Sequence, residues 1–204
     1  MPLESVVLMG DPGPTSIGGT ISDIGIGRPG LNNSNTIGLK LNFSGGSVSV
    51  AVVTMTLGGS AVPCVLGGAA APGTSGTFSD FDPPAINQNN ELSIESDVSG
   101  DPNVSKGIFT CAGGAVHAIA LEGDHKPGTT STFGDDLSDA SLSDDGRVAF
   151  IDPQSPTGVF VSFTPASPAP ALNHAMLVGL LSLLVAAGVV LIRSRTFPRT
   201  GFTD

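Results

Sequence analysis

LSDDGRVAF, Leu142–Phe150, decides how this chain is read. A polar turn, Ser143–Gly146, runs into a stretch in which apolar Val148 and Phe150 alternate, the period of a half-buried strand. The same frame stands twice upstream, as INQNNELSI (Ile86–Ile94) and LNNSNTIGL (Leu31–Leu39). Its first apolar residues, Leu31, Ile86 and Leu142, lie 55 and 56 positions apart. Self-similarity at a fixed interval of this size is the signature of a repeat architecture.

Outward from that frame, the flanks also repeat. Before it stand GGTISDI (Gly18–Ile24), SGTFSDF (Ser75–Phe81) and STFGDDL (Ser131–Leu137). After it come the strand-like VSVAVVTMTLGG (Val48–Gly59), KGIFTCAGG (Lys106–Gly114) and TGVFVSF (Thr157–Phe163). Gly58–Gly59 and Gly113–Gly114 read as tight hairpin turns, since glycine pairs admit the positive φ such turns need. A further strand then enters a turn at Cys64–Gly73 and at Ile119–Gly128. Val6–Met9 reads as that strand entering Gly10–Pro14, so the chain opens inside a unit, as the end of a longer array would. The opening MPLESVVLMGDPGP has no basic region followed by an apolar one, so it is not a secretory leader.

The expected fold is therefore mainly β: about three tandem four-stranded units, at about 6–60, 61–116 and 117–163. Units of this size suit either a partial β-propeller-like arc or a linear β stack. High Gly and Pro content, 28 and 16 residues, argues against helical repeats, whose interiors both break. With ten Phe and no Tyr or Trp, the core must come from Val, Ile, Leu, Ala and Phe.

Beyond 163 the character changes. TPASPAP opens a Pro-rich extended spacer, 164–174. AMLVGLLSLLVAAGVVLI, Ala175–Ile192, is an uncharged run of 18 residues. As a helix it spans roughly 27 Å, close to a bilayer's hydrocarbon core of about 30 Å. It is predicted to be one C-terminal transmembrane helix. Arg193, Arg195 and Arg199 follow and mark the tail, 193–204, as cytoplasmic, which puts the repeats outside. The first 172 residues carry five basic against 17 acidic side chains, a net of −12. Such a surface repels phosphates, so nucleic acid is not an expected partner.

The turn-strand frame resembles the NxxGxxAF tandem repeat of bacterial surface proteins. Here Ser143 stands where that repeat has Asn, while Asn35 and Asn90 stand where it has Gly. Asn is the next best residue at a left-handed backbone position, so the turn survives the change. The joint at Gly10–Pro14 and Gly123–Gly128, and the GIF strand Gly107–Phe109, extend the resemblance over about Val6–Phe163. The tail resembles the PEP-CTERM type of sorting signal, which implies an exosortase-type processing enzyme as partner. PASPAPALNHA replaces the usual Pro-Glu-Pro and the end is long, so a plain single-pass anchor is the expectation. The resemblance brings no catalytic activity.

Candidate chemistry is sparse. Cys64 and Cys111 both lie in predicted strands at a unit boundary; a disulfide and two buried thiols both suit them. Asp135, Asp136, Asp139, Asp144 and Asp145 crowd together, which calcium favours, but in no EF-hand spacing; a solvated turn is the plainer account. His117, His125 and His174 share no metal-ligand spacing, and there is no GxSxG, P-loop or HExxH motif. Sequons at Asn32, Asn42 and Asn103 are of the kind Asn/Ser-rich turns produce by chance. No catalytic residue, cofactor or metal site is predicted. The expected function is a non-enzymatic, cell-surface-anchored repeat protein offering a glycan- or protein-binding or spacing surface. The rivals are a propeller-type enzyme acting on extracellular polysaccharide and a calcium-stabilised adhesin.

Overall fold

A computed structural model describes residues 5–162 except Ile26 and Arg28. The predicted spacer, membrane helix and tail, with Arg193, Arg195 and Arg199, lie outside the described residues. Among the described residues no helix is long and apolar enough to cross a membrane.

The described chain is all strand and turn, in three antiparallel sheets. The first contains β1 (Thr20–Ile24), β2 (Gly30–Leu31), β3 (Thr36–Ser44), β4 (Val50–Thr56) and β5 (Val62–Leu66), in the order β1-β3-β4-β5 with β2 also on β3. The second repeats that plan with β6 (Thr77–Phe81), β7 (Ala85–Ile86), β8 (Leu92–Ser99), β9 (Lys106–Ala112) and β10 (Ala115–Leu121). The third has three strands, β11 (Ser138–Leu142), β12 (Val148–Asp152) and β13 (Gly158–Val161).

Register shows that the units are copies. Leu31 pairs with Ile37, Ile86 with Leu92 and Leu142 with Val148 across the organising turn. Each turn places one residue in the left-handed region: Asn35 (φ 56°), Asn90 (φ 62°) and Gly146 (φ 80°). Even the irregularities recur. One bulge falls between Ile21 and Asp23 in β1 and between Phe78 and Asp80 in β6. A second bulges out Cys64 in β5 and Ile119 in β10.

Strand sequences explain the stacking of sheets. In β4 Val50 and Val52 point to one core while Ala51 and Val53 point to another, the period of two expected for a strand buried on both faces. Val50, Val52 and Val65 of the first sheet meet Phe78, Phe81, Leu92, Ile94 and Phe109 of the second. On its other face the second sheet sets Ile108 and Ala120 against Phe133, Leu137, Val148 and Phe150 of the third unit. Val7 and Ile17 cover the outer face of the first sheet, on Leu39, Leu41, Phe43 and Val53.

Two local expectations need correction. Val6–Met9 is not a strand in the described structure, because nothing there pairs with it. The joint Ser131–Leu137 forms no strand where its counterparts give β1 and β6: β12 ends at Asp152, followed by Pro153, which has no N–H to continue a ladder. Of the two glycine pairs, only Gly113–Gly114 makes a two-residue hairpin loop, with both φ positive (57° and 84°). The Gly58–Gly59 pair sits in a longer loop between β4 and β5.

Candidate functional site

Two features link the units, and a groove opens where all three meet. The first link is a ladder of turns. Asn32 uses Oδ1 to accept from the backbone N–H of Ser34 and Thr36, and its Nδ2 donates to the carbonyl of Asn87, 2.9 Å away. Asn87 repeats this one unit on, accepting from Asn89 and Glu91 and donating to the carbonyl of Ser143 at 3.1 Å. A parallel rung runs from Asn33 N–H to Gln88 Oε1 and from Gln88 N–H to Asp144 Oδ1. Both amide side chains are buried. Gly30 and Gly38 admit the next unit closely; a Cβ on either would lie 2.9 Å from Ile86 or Leu92.

The second link is covalent. Cys64 of β5 and Cys111 of β9 form a disulfide between the first two sheets, with a Cα separation of 6.2 Å. Lys40 Nζ adds an ion pair to Asp80 across the same pair of sheets, at 2.7 Å.

The groove has a volume of about 860 Å³. Pro29 and Gly30 wall it from the first unit, Asp82–Ala85 and Glu95 from the second, and Ser138–Ala140 from the third. Glu95 stands in β8, on the face away from Leu92 and Ile94, and its carboxylate accepts from Lys106 Nζ at 2.8 Å. Burial above all, together with the neighbouring Asp82 carboxyl, pushes Glu95 up and Lys106 pulls it back, which leaves it at about 7. Burial disfavours the Lys106 ammonium, yet Glu95, Asp97 and Asp82 outweigh it and hold its pKa above the ordinary range. The Glu95 carboxyl thus keeps its proton to near neutral pH, beside the Lys106 ammonium. Such a set can exchange a proton or engage a polar, hydroxyl-rich or cationic ligand. Among the described residues no aromatic ring lines it.

The predicted Asp cluster is dispersed. Asp135 accepts from Gln154 Nε2, Asp144 from Gln88, and Asp145 from Arg147 Nε at 2.8 Å; Asp139 lines the groove. Among the described residues no three His, Cys, Asp or Glu side chains converge as a metal site. His117 lies on β10 and His125 in the following turn; His174 is outside the described residues. Asn32, the first sequon, is buried in the ladder.

Sequence reading passed over Glu95 and the pair Lys126–Asp152. LSIESDV does carry a signal for Glu95: a carboxylate within a strand otherwise rich in buried residues, with Lys106 in the next strand. Lys126 Nζ meets Asp152 Oδ2 at 3.0 Å, both side chains fully buried. Lys126 also donates to the carbonyl of Gln154, while Asp152 accepts from Gly134 and Gln154. Nothing in KPGTTSTF announces it, because its partner lies in β12.

A family of unknown function, DUF7453, matches residues 2–167. The chain belongs to that family. No curated protein and no solved structure matches it.

Proposed function

We propose that this DUF7453 chain is a non-enzymatic, surface-displayed repeat protein whose three units form an open propeller-like arc and offer a binding or spacing surface. In this reading Ala175–Ile192 crosses the membrane once, Arg193, Arg195 and Arg199 stay cytoplasmic, and the repeats face outward. The carrying observation is the ladder from Asn32 through Asn87 to Ser143, which fixes three copies of one unit in register as a continuous surface. The inter-sheet disulfide supports it, being chemistry of an oxidising compartment. The resemblance to NxxGxxAF surface proteins with PEP-CTERM-like tails points the same way, with an exosortase-type enzyme as processing partner. The ligand class is extracellular glycan or protein. Protease added to intact cells expressing the full chain should remove the repeats and leave the tail; complete protection of the repeats rules the topology out.

One observation favours a second reading. A carboxyl held near pH 7 beside another carboxylate, in a groove, suits acid–base chemistry on a polysaccharide. Its test is release of sugar ends from acidic and neutral polysaccharides, abolished in both Glu95→Gln and Asp82→Asn. Absence of release by the unmodified chain removes it.

A further inference from the structure

The groove takes its charged wall from the second unit, and repeat register gives the counterpart of that wall in the first. Glu95 pairs with Ile108 across β8 and β9 as Lys40 pairs with Val52 across β3 and β4. Asp82 donates its N–H to the carbonyl of Glu95 as Gly25 does to that of Lys40. Lys106 pairs with Asp97 as Val50 pairs with Asn42. Glu95, Asp82 and Lys106 therefore occupy the places of Lys40, Gly25 and Val50.

Those places serve different ends in the two copies. Val50 is buried in the core between the first two sheets, and Lys40 reaches into the second unit, its ammonium 2.7 Å from the Asp80 carboxylate. Apolar contact and one ion pair hold that junction. At the junction of the second and third units all three places are ionisable, and they border a cavity of about 860 Å³. Ionisable groups are costly to bury, and the first junction shows that the fold stands without them. Glu95 is only 9% exposed, lines the groove and gives one carboxylate oxygen to Lys106. Beside it stands a second carboxyl, Asp82. Two such groups repel once ionised, and a donor set between them relieves both. Among the described residues Lys106 is the one cation within ion-pair reach of Glu95.

We propose that the groove binds an amino sugar, its ammonium held between Asp82 and Glu95 and its ring hydroxyls turned to Ser138 and Asp139 on the facing wall. The ammonium takes the part that Lys40 plays on Asp80 at the first junction. Asp82, Glu95 and Asp139 against one lysine favour a cation over an acidic sugar. The volume falls in the range of small-molecule sites, roughly 300–1,000 Å³, and is more than one aminoalkyl side chain fills. Pro83, Pro84 and Gly30 give it a firm wall for a ring rather than a slot for a chain. The inference rests on the binding-surface reading proposed above and names the ligand of that surface.

The test titrates the purified full chain in detergent, near neutral pH, by calorimetry. Its probes are the tetrasaccharide of β-linked glucosamine, the N-acetylated tetrasaccharide and tetralysine. The glucosamine tetrasaccharide should bind, and N-acetylation, Glu95→Gln and Asp82→Asn should each weaken binding about tenfold or more, as loss of a charge-assisted hydrogen bond does. Asp23→Asn, which removes an exposed carboxylate on β1 outside the groove, should leave binding unchanged. Asp82 is exposed, so Asp82→Asn keeps the test decisive even where Glu95→Gln perturbs the fold. No binding of the glucosamine tetrasaccharide, equal binding of its N-acetylated form, or binding indifferent to Asp82→Asn overturns the site. Tighter binding of tetralysine overturns the sugar and makes the ligand a polypeptide. Failure here leaves the membrane topology standing, since protease on intact cells reads that separately.

Discussion

A buried side-chain amide must find partners for both of its ends, and Asn87 finds them in two units at once. Its oxygen closes its own turn and its nitrogen reaches the turn of the next. Asn87→Ala leaves those groups unpaired, at a cost of about 2 kcal/mol, read from denaturant unfolding. Asn35 has a simpler duty, holding a left-handed φ of 56° on an exposed turn. Asn35→Ala should cost about 1 kcal/mol, while Asn35→Gly should change stability by a few tenths at most, in the same measurement. That distinction was legible in the sequence, because Gly146 stands at the same place in the third copy. The buried amide was not, since its partners exist only once turns stack. Glu95 is a second residue whose environment comes from assembly. Its carboxyl is raised from 4.5 to about 7, so its protonated form favours the fold. That contribution is complete below about pH 4.5 and is lost as the pH rises through 7. The melting temperature should therefore drop across this window, and Glu95→Gln should flatten the drop.

Individual elements differ in what ends them and what holds them. β8 runs on to Ser99, but its counterpart β12 stops at Asp152 before Pro153. The vacated edge is held by the buried Lys126–Asp152 pair. Burial alone would raise the Asp152 carboxyl; Lys126 and the N–H groups of Gln154 and Gly134 outweigh it and hold its pKa below the usual range. A depressed carboxyl stabilises above its unfolded value and loses that effect as pH falls, so acid should loosen the third unit while it favours the groove around Glu95. Lys126→Ala or Asp152→Ala alone strands a buried charge and should cost about 3–5 kcal/mol. The double variant should cost less than the sum, and an additive cycle would count against the pair. Between the first two sheets, the disulfide closes a separation of 47 residues, worth about 4 kcal/mol by chain entropy. Cys64→Ser/Cys111→Ser should lower stability by that order in thermal melts. Sequence placed both cysteines in strands at a unit boundary and left the bond open. Deciding it requires knowing that β5 comes to lie against β9, which brings the two Cα atoms within 6.2 Å.

At the scale of the molecule, the interval between copies made the three-sheet plan readable, because hydrophobic periodicity and turn chemistry agree in every copy. The cores between sheets were not readable, since alternate residues of β4 serve two of them and a sequence does not say which neighbour each faces. The third sheet has three strands, no covalent tie among the described residues, and one core shared with the second. Hydrogen exchange should accordingly find β11–β13 opening before β3, β4, β8 and β9, whose faces are buried on both sides. Equal protection throughout would mean the units unfold as one.

The turn ladder also limits how such a gene can change length. Asn32 and Asn87 meet their neighbours only when the intervening chain returns the next turn to the same height, so a deletion that removes one whole period can let the surviving turns meet, whereas one that removes half a period leaves every buried amide facing the wrong backbone. Insertions that keep the rungs aligned belong in the loops between strands, and chains of this kind should vary among themselves in whole copies.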